Sequence, residues 1–146
     1  MTVLHLVHVV AVFLWLGNIL AEAVIELARQ PNRGGYFTVA RLHRSIDAFV
    51  ELPLIIVILV SGILLLLHTQ ADTTLWIKIG CALVAIAMNL YCAFFVFRRA
   101  KLDEKDENLS TLKSLTWRGV YLSTLIGVPF AIVALYLGII RLLGSH

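Results

Sequence analysis

The sequence predicts an all-α fold, a transmembrane antiparallel four-helix bundle, on three observations. Hydrophobic residues fill 60 % of the 146 positions and the mean hydropathy is +0.93, whereas soluble domains are roughly half apolar. Four stretches, roughly 3–27, 46–68, 74–97 and 118–142, each supply the about 20 mostly apolar residues that cross a hydrocarbon core of about 30 Å. The link between the second and third stretches is brief, which makes them antiparallel neighbours. The chain therefore reads as one four-span domain whose main partner is the lipid bilayer.

The first stretch carries the most unusual chemistry. Between residues 5 and 26 it holds His5, His8, Asn18, Glu22 and Glu26 in an otherwise apolar run. At 100° per residue His8, Trp15, Glu22 and Glu26 fall within about 40° of one another, with Asn18 and His5 flanking the stripe. Ionisable residues at membrane depth usually face a bundle interior or a water-filled cavity and mark an ion, proton or cofactor site. Ala21-Glu22-Ala23 imitates a signal-peptidase site, but the run is longer than a signal peptide needs and its start is uncharged, so it reads as a span.

Positive charge sets the topology. Arg29, Arg33, Arg41 and Arg44 lie in or beside the first loop, and Arg98, Arg99, Lys101, Lys105, Lys113 and Arg118 in or beside the third; Lys78 and Arg141 lie on the opposite side. The positive-inside rule places both long loops in the cytoplasm and both termini outside, in a bacterium an inner-membrane protein with periplasmic ends. The net charge of +3 is thus a topology signal rather than a nucleic-acid footprint, and no nucleic-acid partner is expected.

In the first loop, Pro31 and Gly34-Gly35 are expected to break the helix before a short amphipathic lead-in to the second span. That span is polar along one side: His43, Asp47 and Glu51 recur at spacing four, and Ser61 and His68 continue within about 100° of arc. In the third span Cys81 and Cys92 sit eleven positions apart, about 16 Å along a helix, too far to bond to each other within it; they read as buried apolar thiols. The third loop alternates charge sign and reads as a solvated helical extension or a mobile loop, with an idle glycosylation triplet at Asn108-Leu109-Ser110.

Two polar clusters follow from the antiparallel order. At the inner end Glu22 and Glu26 come level with His43, Asp47 and Glu51, and Asn89, Tyr121 and Thr124 can approach the same layer. Carboxylates and imidazole projecting inward from facing helices are how bundle metal sites are built, with iron, manganese, zinc or copper as candidate ions. The competing reading is that these acids pair with Arg41, Arg44, Arg98 or Arg118 and only anchor helices. At the outer end His8 comes level with His68, near His5, Trp76 and Lys78. Two imidazoles on adjacent helices are one way to hold a haem b.

The run from His8 through Trp15 to Gly17 resembles the first span of the HemJ-type membrane protoporphyrinogen oxidases and the related CopD-type copper-resistance membrane domains, and Trp76-Ile77-Lys78 resembles the start of a later helix in that group. The chain departs from the family after Gly17, where Asn18 to Glu22 replace a Leu-Pro-Arg run. The resemblance implies a haem- or metal-associated bundle in which His8 and Lys78, with Trp15 and His68 nearby, surround the cofactor.

Three functions stay open on the sequence. One is a haem-binding membrane oxidoreductase acting on a porphyrin or quinone. The second is a carboxylate and histidine metal site serving catalysis or transport. The third is a non-catalytic accessory subunit whose polar residues pin helices together, at about 0.6 kcal/mol per interhelical hydrogen bond. Assembly with further copies is compatible with each.

Overall fold

The structure, a computed structural model, describes residues 2–70, 72–102 and 109–143. All regular elements among them are helical: α1 (Val3–Leu27), α2 (Arg33–Ile46), a π-helical turn (Asp47–Glu51), α3 (Leu52–Leu67), α4 (Thr73–Ala100), α5 (Leu109–Thr116), a second π-helical turn (Trp117–Tyr121) and α6 (Leu122–Leu143). Because α2, its π turn and α3 are continuous, as are α5, its π turn and α6, four helices are long and apolar enough to cross a membrane: Val3–Leu27, Arg33–Leu67, Thr73–Ala100 and Ser110–Arg141. This is an all-α integral membrane protein, and its four long helices coincide with the four predicted stretches.

The main difference lies at the start of the second long helix, which begins at Arg33 rather than near residue 46. Asn32 caps it, its side chain accepting the Gly35 N–H at 2.7 Å. The first N–H groups of a helix have no intrahelical partner, so a capping Asn can hold them while Gly34 and Gly35 occupy the first turn. Gly35 has a specific reason to be there, since a Cβ at that position would overlap the Gln30 carbonyl. Between α1 and this helix only 28–32, around Pro31, are non-helical. Of the charged third loop, 98–100 end α4 and 109–118 begin the fourth long helix, a helical extension as expected, while 103–108, with Asn108 of the glycosylation triplet, lie outside the described residues.

The described chain forms two compact units. In the first, made of 2–70, 97–102 and 109–112, α1 runs antiparallel to α2 and α3: His8 meets Ser61, and Glu22 meets Asp47 and Glu51. Near the starts of the second and fourth long helices, Tyr36, Phe37 and Leu112 form a small buried cluster with Leu102 packed on it.

In the second unit, made of 72–96 and 113–143, α4 packs antiparallel to the fourth long helix through three glycines. A Cβ at Gly127 would come within 3.2 Å of Met88, one at Gly138 within 3.3 Å of Lys78, and one at Gly119 would overlap Phe95. Small residues let helix backbones approach where lipid gives no hydrophobic drive for association. At the far end of this pair Asp72 accepts the Leu75 N–H at 2.8 Å and pairs with Arg141. The bond from Leu75, and then the Arg141 guanidinium, hold the exposed Asp72 carboxyl below its ordinary range.

Candidate functional site

The inner end of the first unit divides the predicted acidic residues into two groups. Glu26 is 2 % exposed and fully countered. Arg99 donates to both of its oxygens, Nη1 to Oε1 and Nη2 to Oε2, each at 3.2 Å, a bidentate fork of the strong, charge-assisted kind. Arg29, three residues along, bonds the same carboxylate and stacks over Tyr36 at 3.8 Å. His43 brings Nδ1 to 3.7 Å from Glu26 Oε2, while its buried Nε2 has no hydrogen-bond partner. For Glu26, then, pairing with arginine is the outcome, although the partners are Arg29 and Arg99 rather than Arg41, Arg44, Arg98 or Arg118.

One turn nearer the middle of α1 the situation reverses. Glu22, Asp47 and Glu51 each offer a carboxylate oxygen within 4.8 Å of the other two. Asp47 and Glu51 are 3 % and 2 % exposed, and Asp47 Oδ2 and Glu51 Oε1 are buried without a hydrogen-bond partner. No Lys or Arg pairs with any of the three among the described residues. Outside the group, Asn18 Nδ2 donates to Glu22 Oε1 at 3.4 Å.

The backbone explains how two acids on one helix reach the same point. Asp47 and Glu51 bound the π turn, closed by a bond from the Leu52 N–H to the Asp47 carbonyl five residues back. A π turn holds one more residue than an α turn, shifts the register of everything before it, and occurs frequently at functional sites. Here both acids turn inward while Phe49, between them, is 82 % exposed.

The predicted outer cluster is arranged differently. His8 Nδ1 lies 2.8 Å from Ser61 Oγ; that hydroxyl already donates to the Val57 carbonyl at 2.6 Å, so the imidazole is the donor. The ring also packs at Gly62, where a Cβ would come within 3.3 Å of it. His68 is exposed and its Nδ1 donates to the Leu64 carbonyl at 2.8 Å. Six residues from Gly62, it stands about 9 Å further along the helix axis, so the structure does not bring the two imidazoles to one point. Trp15 is buried with its indole N–H unpartnered. Lys78 belongs to the second unit, half-buried beside Gly138. Asn89, Tyr121 and Thr124 are in that unit as well; Thr124 bonds the Val120 carbonyl at 2.7 Å.

Arg99 was not singled out by the sequence, but helical phase could have found it: it shares a stripe with Ala85 and Val96, both buried, whereas Arg98 lies on the opposite face and is exposed. No family model, curated protein or solved structure matches this chain.

Proposed function

We propose that this protein binds a divalent metal cation inside the membrane, held by Glu22, Asp47 and Glu51. The observation that carries the reading is the contrast along α1: Glu26 is countered by two arginines, while three converging carboxylates one turn away have none. An uncompensated charge at membrane depth costs at least about 3 kcal/mol, so a cluster of three persists when protons or a cation neutralise it. An all-oxygen donor set suits manganese, magnesium, calcium or ferrous iron better than thiolate-seeking ions. His43 supports this from one turn away: its Nδ1 faces the Glu26 carboxylate and its Nε2 is buried and unpartnered, the orientation in which a carboxylate holds an imidazole for a metal. Arginines at the same end support an orientation with the site near the cytoplasmic face of a bacterial inner membrane and both termini outside.

Electron paramagnetic resonance titration of the purified protein with Mn²⁺ tests the site. One tightly bound Mn²⁺ per chain is expected. The Glu22→Gln, Glu51→Gln variant should weaken it by more than the roughly 10- to 100-fold that loss of an outer partner costs. Equal Mn²⁺ binding by that variant would refute the proposal.

A further inference from the structure

The exposed side of α2 is basic and carries no acid. Phe37, Ala40 and His43 turn the opposite side inward, which leaves Arg41, Arg44 and Ser45 at the surface. The helix contains no Asp or Glu. The Arg44 guanidinium stands 5.9 Å from the centre of the Phe97 ring, near the end of α4. Two contacts within the first unit fix how these segments run past each other: Phe97 meets Arg44, and Leu102 packs on the cluster that holds Tyr36 and Phe37. The segment 97–102 is therefore antiparallel to α2, and Lys101, exposed in the turn after α4, comes level with Arg41. Among the described residues, none of Arg41, Arg44 and Lys101 forms an ion pair.

Along the helix the same surface changes character within a short distance. The chain passes from α2 through the π turn into α3 without a break, and Phe49, five residues and about 7 Å beyond Arg44, is 82 % exposed. Val50 and Ile56 continue as exposed apolar residues of a membrane-length helix. An occupant of this surface thus meets cations at one end and lipid-facing side chains at the other, which is the layout of a phospholipid and not of a soluble anion. Guanidinium groups present paired N–H donors that match phosphate oxygens. Three cations with no acid among them favour a headgroup of net negative charge over a zwitterionic one.

We propose that Arg41, Arg44 and Lys101 bind the headgroup phosphate of an anionic phospholipid whose acyl chains run outward past Phe49. Asp47 and Glu51 of the intervening turn are buried on the other side, so this lipid site is independent of the carboxylate cluster and stands or falls without it. The Phe97 ring beside Arg44 holds one guanidinium at the crossing of α2 and α4, where the phosphate is received.

Native mass spectrometry of the purified protein, titrated with phosphatidylglycerol and separately with phosphatidylcholine, tests this. Phosphatidylglycerol should bind about tenfold or more tightly than phosphatidylcholine, and excess inorganic phosphate at constant ionic strength should not displace it. Its affinity should fall about fivefold in each of Arg41→Gln, Arg44→Gln and Lys101→Gln, and about a hundredfold in the triple variant. Lys113→Gln combined with Arg118→Gln, an exposed basic pair outside this cluster, should leave it unchanged. Circular dichroism shows whether each variant is folded, and the single variants decide the matter if the triple one is not. Equal binding of the two lipids, undiminished affinity in the folded Arg41, Arg44 and Lys101 variants, an equal loss on removing Lys113 and Arg118, or displacement by inorganic phosphate would each overturn the inference.

Discussion

Glu22 and Glu26 are neighbours on one face of α1, and their surroundings differ: Glu26 meets two guanidinium groups, Glu22 two further carboxylates. The periodicity that puts both on the stripe with His8 and Trp15 is legible in the sequence; which acid receives a guanidinium is not, because Arg99 arrives from 73 positions away. Arg29 was within reach of a sequence argument, being three residues from Glu26 on the same chain turn. The account predicts a large asymmetry between these acids. Arg99→Met leaves Glu26 buried with Arg29 alone and should destabilise the protein by about 1–3 kcal/mol, measured by denaturant unfolding in bicelles. Adding Glu26→Gln should recover part of that loss, since the buried carboxylate left with Arg29 alone is then gone. A loss under 1 kcal/mol for Arg99→Met would mean that the fork to Glu26 contributes little.

At the scale of the element, the π turn at Asp47–Glu51 matters most, and hydrophobic periodicity does not reveal it. The spacing of His43, Asp47 and Glu51 fits an unbroken α-helix equally well, and one extra residue per turn changes the facing of a polar stripe by less than its own width. The expected break at Gly34-Gly35 failed for a related local reason: Asn32 supplies a cap that lets a helix start with two glycines. Deleting the exposed Phe49 should convert the π turn to regular α-helix, because the extra residue is what the longer hydrogen-bonded ring accommodates. Asp47 and Glu51 then stand three residues apart, about 60° around a regular α-helix in place of about 30° across the π turn. Helical circular dichroism should persist while Mn²⁺ affinity falls at least tenfold. Retention of full affinity would show that the π turn does not set the site.

For the whole molecule, composition and charge placement carried the fold class: four apolar stretches became four membrane-length helices. What they leave open is the use of the polar residues, because a cofactor site and a helix clamp draw on the same residue types and differ only in tertiary pairing. The orientation is testable in a background with Cys81 and Cys92 replaced by Ala. An impermeant maleimide applied to intact cells should label Thr2→Cys and spare Gln30→Cys until the cells are opened. The reverse pattern would place the carboxylates at the outer face.

The most direct measurement of the central claim is an anomalous difference map from crystals grown with Mn²⁺. The account predicts a single strong peak among the carboxylate oxygens of Glu22, Asp47 and Glu51. A map with no peak there, or with the ion seated instead at His8 and Ser61, would contradict it.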